Sequence, residues 1–252
     1  VSLVCLFKEK KLWSALLLIL ALFVIIKTPQ LAAEASALLR GWTEESAKQA
    51  SALDIRWLGF SYIAFRIIHT IRDNQSGKLP SVTLEEYVTY VIFFPALSAG
   101  PIDRIERFVQ DLRTPLSLSE ADWFDAGQRI VLGVFKKFVL ADSLALLAIN
   151  NADVTSIQPG GWAWVVLYAY SFQIFFDFSG YTDIAIGIAR LVGVSLPENF
   201  KSPYLKPNLM QFWNNWHMTL ALWFRGYYFN PLMRSLRSGK KLSLLVIVFI
   251  TQ

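Results

Sequence analysis

Of the two histidines in this 252-residue chain, His217 has surroundings that suit a proton-transfer group. It lies in FWNNWHMT at 212–219, an aromatic and amide-rich patch within an otherwise apolar segment. An imidazole, whose unperturbed pKa is about 6.5, can take a proton from a hydroxyl group at cellular pH. Polar groups are costly between apolar flanks. Two interpretations are open: a general base, or a structural histidine whose ring donates to a buried carbonyl.

If this segment is helical, the face that carries His217 is otherwise apolar, and Asn214 and Arg225 lie at its borders. The other residues on that face are Met210, Trp213, Ala221 and Phe224. Two interpretations are open for Arg225. Its guanidinium holds an anionic group such as a phosphate or a thioester oxygen, or it snorkels to a membrane interface.

A second group of candidates lies in the hydrophobic stretch 162–194. At 100° per residue, a helix places Asp177 and Tyr181 on one broad face and Asp183 and Arg190 on another. Two polar faces argue against lipid contact on either. Asp177, Tyr181 and Asp183 are therefore candidate substrate-binding residues. The alternative for the two acids is an ion pair with Arg190 and the capping of backbone breaks.

Several other chemistries are disfavoured by the motifs. Neither histidine has Cys, His or carboxylate neighbours at metal-ligand spacing, so we expect no metal site. The sequence has no GxxxxGK[ST] loop, no GxGxxG and no GxSxG elbow. Cys5 has no base beside it, which makes it a poor nucleophile. His69 is expected to be structural, because it lies near the end of a predicted helix beside Arg66 and Asp73.

The composition indicates what kind of protein positions these residues. The chain is 54% hydrophobic and 17% charged, with a mean hydropathy of +0.41, whereas soluble domains are about 25% charged. At about 20 apolar residues per crossing, it has room for roughly six or seven membrane elements. We predict an all-α polytopic membrane protein, a multi-helix bundle with broken and re-entrant helices, forming one domain over 1–252. The net charge of +5 fits loop cations better than nucleic-acid binding.

Apolar and amphipathic periodicity predicts helices over 12–26, 57–71, 87–94, 102–113 and 162–194. The first is predicted to span the membrane, with a cleaved signal peptide as the alternative. Pro95, Gly100 and Pro101 break the backbone after the third, because proline removes a donor. Ser119 followed by Asp122 is a capping-box signature and starts a further long helix.

The distribution of cations predicts the orientation in the membrane. Residues 101–137 are rich in Lys and Arg and are assigned to the cytoplasm, whereas 150–161 has no cation and is assigned outside. Cations flank 209–233 on both sides. We therefore predict that 209–233 dips into the membrane and returns, and we predict the same for the proline-broken segment 88–100.

Three sequence blocks occur in a characteristic order: SFQIFFDFSGYTD at 171–183, PENF at 197–200 and FWNNWHMTL at 212–220. Together they resemble the membrane-bound O-acyltransferase family. Upstream, 59–66 and 94–102 are similar to its bacterial branch, the alginate O-acetyltransferase and teichoic-acid D-alanyltransferase type. The match covers about 55–235.

The resemblance implies an O-acyltransferase, with several passes through the bacterial cytoplasmic (inner) membrane. An acyl group, expected to be acetyl, would pass from a thioester donor to a hydroxyl of an exported polysaccharide. The donor would be acetyl-CoA or an acyl-carrier protein, no cofactor would be bound, and periplasmic acetyltransferases are candidate partners. His217 matches the histidine of the family's Trp-His-x-Ser/Thr-Leu block. Candidate donors to the reaction's oxyanion are then Asn214, Asn215 and Arg225.

This sequence departs from the family pattern in two respects. The family's downstream histidine, usually taken as the main catalytic residue, has no counterpart, so His217 orients or assists in one interpretation. Gly226 stands where related sequences commonly have Asp. The last apolar run, 242–250, is too short to cross a bilayer, so we expect a fragment cut at least at its C-terminal end. The alternative functions are a transporter or channel lined by the charged residues of 162–194, and a non-catalytic scaffold for polymer export.

Overall fold

The computed structural model describes residues 9–42, 51, 59–148 and 161–238, and the regular structure in these ranges is entirely helical. The all-α prediction is confirmed. Cys5, residues 150–160 of the predicted outer loop and the run 242–250 lie outside the described residues. The helices are α1 (Glu9–Lys27), α2 (Pro29–Trp42), α3 (Phe60–Gln75), α4 (Leu84–Val91), a 3-10 helix (Phe94–Ala96), α5 (Ile105–Arg113), α6 (Glu120–Val134), a π-helix (Phe135–Ala141), α7 (Asp142–Ala145), α8 (Gly161–Leu191), a 3-10 helix (Pro203–Leu205), α9 (Leu209–Asn214), α10 (Met218–Phe224), a π-helix (Arg225–Phe229) and α11 (Asn230–Ser238).

Among the helices described, none is by itself both long and apolar enough for a straight membrane crossing. The segments Leu17–Lys27 and Pro29–Arg40 reach that length together, with a bend of 101° between them.

The chain divides into two compact units. The first consists of Val1–Ser98 with Arg104–Val109, and the second of Ala99–Asp103 with Gln110–Gln252. The single domain expected over 1–252 stays a prediction.

In the first unit, Arg66 of α3 stabilises the break that the sequence predicts within 88–100. The break is present, because α4 ends at Val91 and only a 3-10 turn follows. The Arg66 guanidinium, in a residue 2% exposed, donates to the carbonyl oxygens of Tyr90 and Val91 at 3.0 Å each and of Ala96 at 2.9 Å. Carbonyls at a helix end lack partners within the helix, so this cation supplies their hydrogen bonds. A dip of this segment into the membrane stays a prediction.

His69 belongs to the core of the first unit. It is 1% exposed, and its Nε2 lies 2.7 Å from the hydroxyl oxygen of Tyr90. The Tyr90 ring packs edge-on against Phe108, with ring centroids 5.3 Å apart. Arg66 and Asp73, which the sequence places beside His69 on this helix, are buried as well. This packing supports the structural interpretation of the histidine.

The second unit is organised around α6 and α8. The capping box that starts α6 is confirmed: the Ser119 hydroxyl accepts from the Asp122 backbone N–H at 3.2 Å, and the Asp122 carboxylate accepts from the Ser119 N–H at 3.1 Å. Gly133 of α6 and Gly180 of α8 meet where the helices cross. A Cβ added to either glycine would lie 2.6 Å from the carbonyl oxygen of the other, so the two backbones are in direct contact.

Two adjacent lysines follow the glycine contact, in the π-helix that continues α6. Lys136 donates to Asp183 Oδ2 at 2.6 Å, and Lys137 donates to Asp177 Oδ1. The two acids lie three residues before and three residues after Gly180 on α8. The crossing is therefore held by an ion pair on each side of the glycine.

Candidate active site

His217 lies at a break between two short helices. α9 ends at Asn214, α10 begins at Met218, and His217 has φ 44° and ψ 52°. This left-handed conformation is uncommon for residues with a Cβ. Among the described residues other than glycine, only His217 and Ser202 adopt a positive φ. The segment is thus two short helices and not one, so the single continuous helical face considered for His217 with Met210, Trp213, Ala221 and Phe224 does not exist.

Residues 192–202 connect α8 to the next 3-10 helix. This connection holds the break through Asn199, which is 0% exposed. Its backbone carbonyl accepts from the Met218 N–H at 2.9 Å, and its side-chain oxygen accepts from the Thr219 hydroxyl at 2.5 Å. Two residues further on, the Lys201 N–H donates to the Asn215 carbonyl at 3.1 Å. The chain on both sides of the histidine is therefore tied to the same connection.

The His217 ring is half-buried, and two side chains from elsewhere in the described part of the sequence contact it. Nδ1 lies 3.2 Å from Asn199 Oδ1, and Phe178 of α8 packs edge-on against the imidazole, with centroids 4.8 Å apart and planes at 88°. Neither contact residue was predicted as a site residue. The only sequence indication of Asn199 is the PENF block, a polar interruption between two apolar segments.

Phe178 is part of an aromatic cluster that joins α8, the following connection and α9. Phe200 packs edge-on against both Phe178 and Trp216, at 5.1 and 5.2 Å between centroids. Trp216, beside the histidine, stacks on Phe212 at 5.4 Å. Such pairs are worth about 0.5–1.5 kcal/mol each beyond the area that they bury. Through Phe178, the cluster packs tightly against one side of the His217 ring.

Asp183 is the central acid of a charged network beside this cluster. Its side chain, 14% exposed, accepts from Arg129 Nε at 3.0 Å as well as from Lys136. Arg129 also makes a two-pronged pair with Glu198, at 2.6 and 2.5 Å. Glu198 is the neighbour of Asn199 in the sequence, so the network fixes the connection that carries Asn199.

The alternative in which the two α8 acids pair with Arg190 is wrong. Arg190 pairs instead with Asp122 at 2.8 Å and Asp125 at 3.5 Å, at the start of α6. The reason is the close crossing of α6 and α8, which brings Arg129 of α6 and the two lysines of the following π-helix to Asp177 and Asp183. Both acids are thereby engaged in ion pairs, whether or not they also contact substrate.

A cavity of about 270 Å³ lies among these charged residues. The hydroxyls of Ser179 and Thr182 are buried there and have no hydrogen-bond partner in the part of the chain that is described. Phe200 lines the cavity and packs against Phe178. In the same described part, no three His, Cys, Asp or Glu side chains form a group that could hold a metal ion. The lining residues are Arg129, Lys136, Phe175, Ser179, Thr182, Asp183, Glu198, Phe200 and Ser202.

The remaining predicted residues lie around the break at different distances. Asn214 is exposed at the end of α9, and the Asn215 amide donates to an α9 carbonyl at 2.8 Å. Arg225 begins the π-helix after α10, so its Cα lies about 12 Å along the helix from His217 at 1.5 Å per residue. Tyr181 is half-buried on α8. Their roles stay predictions.

Comparison with known proteins identifies the family. The model of the membrane-bound O-acyltransferase family matches residues 6–251. The chain is 36% identical over 178 residues to a teichoic acid D-alanyltransferase of Bacillus subtilis, covering 69% of this chain and 45% of that protein. It is 34% identical over 192 residues to a teichoic acid D-alanyltransferase of Streptococcus thermophilus, covering 74% and 46%. A probable alginate O-acetylase of Pseudomonas putida is 35% identical over 174 residues, covering 68% and 35%.

The chain belongs to the membrane-bound O-acyltransferase family. It spans about half the length of the two D-alanyltransferases and about a third of the alginate O-acetylase. The family is membrane-bound by its description, and the described part of this chain is helical with broken segments.

Proposed function

We propose that the chain belongs to an enzyme that acylates a hydroxyl group of an exported polysaccharide. The acyl group is proposed to be acetyl, with D-alanyl as the alternative that two of the relatives suggest. Family membership supports acyl transfer, and the names of the relatives support a cell-surface or exported polymer as acceptor. The proposed location is the bacterial cytoplasmic membrane.

The observation that carries this proposal is the placement of His217. Its backbone is held in a left-handed conformation, which costs of order 1–3 kcal/mol and persists only where the surroundings enforce it. Here Asn199 and Phe178 contact the ring from two sides, and the histidine occupies the break itself. A histidine needed only for packing has no requirement for such a backbone. The geometry instead suits a side chain that must be presented to a substrate.

The proposed reaction is direct transfer from a thioester to an alcohol. His217 takes the proton of the acceptor hydroxyl while its oxygen bonds to the thioester carbonyl carbon. The resulting oxyanion accepts hydrogen bonds from donors that we seek among Asn214, Asn215 and Arg225. The C–S bond then breaks, and the imidazolium gives its proton to the departing thiolate. A positioned general base typically contributes roughly 10²- to 10⁴-fold in rate.

The donor is proposed to bind from the cytoplasm, as acetyl-CoA or an acyl-carrier protein, and the acceptor from outside, where periplasmic acetyltransferases are candidate partners. The cation-based orientation is testable in intact cells with Cys5 replaced by Ser. A cysteine placed at Thr155, which lies outside the described residues, should react with a membrane-impermeant thiol reagent. Labelling of a cysteine at Asp111 instead would reverse the orientation.

The ion pairs count against the transporter alternative. That alternative requires the charged side chains of α8 to line a path for a solute. Asp183 is bound by two cations, Asp177 by one, and Arg190 by two acids of α6. Charges that neutralise one another across a helix crossing are typical of a structural network and do not suit a path for a solute. We therefore propose acyl transfer in preference to transport.

The proposal is tested with the full-length protein in membrane vesicles, supplied with radiolabelled acetyl thioester and with alginate or lipoteichoic acid. Label should enter the polymer, and His217→Ala should lower the rate roughly 10²- to 10⁴-fold at equal protein abundance. Met210→Leu, at a residue of α9 that is 70% exposed, is the matched control and should keep the wild-type rate. An unchanged rate in His217→Ala would overturn the site, and solute uptake that depends on Asp177 without acylation would favour transport.

A further inference from the structure

We propose that Asn199 is a positioning residue that holds His217 in the tautomer whose Nε2 accepts the substrate proton. This inference rests on the proposed role of His217 as a general base. Asn199 acts through the imidazole, and we assign it no contact with the reacting atoms.

The orientation of the Asn199 amide follows from its partners. The backbone N–H of Thr219 points to Asn199 Oδ1 at 3.4 Å, and a backbone N–H can only donate. The side-chain atom that faces it is therefore the carbonyl oxygen. The Thr219 hydroxyl is consistent with this assignment. It accepts from the Ile102 N–H at 3.1 Å, which leaves its own proton for Asn199 Oδ1 at 2.5 Å.

The protonation of the ring follows from the orientation of the amide. His217 Nδ1 lies 3.2 Å from the same Asn199 Oδ1. Because that oxygen is an acceptor, Nδ1 must carry a hydrogen and donate it. A neutral imidazole has one N–H only, so Nε2 then has the free lone pair. The tautomer that can act as a base at Nε2 is thus the one that the fold stabilises.

The burial of Asn199 indicates that the oxygen is what matters at this position. The residue is 0% exposed, and its Nδ2 is buried with no hydrogen-bond partner among the described residues. An unpartnered buried donor destabilises a fold, so packing alone would favour an apolar side chain here. The other contact of the ring, Phe178, is not ionisable. Among the described residues that contact the ring, Asn199 is therefore the group that can set its tautomer.

The test compares kcat, KM and pH profiles of the full-length variants, each normalised to folded protein. Asn199→Leu should lower kcat about tenfold or more, which is part of the roughly 10²- to 10⁴-fold that a general base contributes, with KM little changed. Asn199→Asp restores an acceptor oxygen and should recover most of kcat. Its carboxylate also stabilises the protonated ring, so the acid limb of the profile should move to higher pH.

Ser171→Ala is the control for tethering, because it removes the hydrogen bond at 2.5 Å between the hydroxyls of Ser171 on α8 and Tyr204 and leaves Asn199 and the ring untouched. It should lower the unfolding midpoint while kcat per folded protein stays within a few-fold of wild type. Loss of kcat in Ser171→Ala equal to that in Asn199→Leu would overturn the inference, as would an Asn199→Asp variant with an unmoved profile. Failure of the proposed function itself is distinct, since the wild type would then transfer no label or His217→Ala would keep the wild-type rate.

Discussion

Replacement of Gly180 by alanine tests whether α6 and α8 touch backbone to backbone. The new Cβ would lie 2.6 Å from the Gly133 carbonyl oxygen and 2.8 Å from the Lys137 nitrogen, well short of the 3.4 Å at which ordinary van der Waals contact begins. Both are backbone atoms, so no side chain can rotate to make room and the helices must separate. Overpacking of this kind typically costs about 1–3 kcal/mol.

Gly127→Ala, on α6, is the matched control. A Cβ at Gly127 meets nothing within 4 Å. Both glycines lie within helices, so each substitution gains the same roughly 0.5–1 kcal/mol from higher helix propensity. The propensity gain cancels in the comparison. The difference in unfolding free energy between Gly180→Ala and Gly127→Ala is then the overpacking cost alone, about 1–3 kcal/mol.

The measurement is thermal unfolding of the full-length variants in one detergent, together with the acyl-transfer rate. The midpoint of Gly127→Ala should lie above that of the wild type and the midpoint of Gly180→Ala below it. A free-energy change of 1 kcal/mol moves the midpoint by roughly 2–4 °C in a domain of 150–250 residues. Equal midpoints for the two variants would show that the glycine contact is not tight.

Two further predictions concern charged groups. Asp183→Asn should lower the unfolding free energy by about 1–3 kcal/mol, because two cations lose a carboxylate that is 14% exposed. Asp177→Asn, at 54% exposure, should cost at most about 1 kcal/mol; equal costs in detergent unfolding would contradict this ranking. Hydrogen bonds from Ser119 and Arg190 lower the pKa of Asp122 to about 2. Its stabilising contribution is therefore present above its unfolded pKa of about 3.9 and lost as the pH falls through 2. Asp122→Asn should flatten the stability profile in that range, and an unaltered profile would count against the assignment.

The elements that the sequence predicts correctly depend on neighbours along the chain. The contacts between Ser119 and Asp122 span three residues, so the residue types alone indicate the cap. Helix α8 follows from a long apolar run, and Pro95 marks a break that is largely a property of its own backbone. The sequence also indicates His217, because an imidazole in an apolar segment is chemically unusual.

The features that the sequence does not reveal depend on distant contacts. Residues 209–225 contain neither proline nor glycine that would mark a break, and the hydrogen bonds that hold the break there come from Asn199, 18 residues before His217. The sequence likewise does not reveal Lys136 as an ion-pair partner of Asp183, because the two residues lie 47 positions apart along the chain. Arg190 shares a face with Asp183 along α8, but the neighbouring helix supplies the nearer cation. Only the packing of α6 against α8 decides between them.

The paired lysines beside the glycine contact restrict how α6 and α8 can move. Rotation of α8 about its own axis would lengthen the bond to Lys136 or the bond to Lys137, and sliding would bring bulkier residues to a point where only glycine fits. The two helices should therefore move together as one rigid element. Under the proposed function, we expect this part of the chain to widen for a bulky acceptor in the short segments on either side of His217.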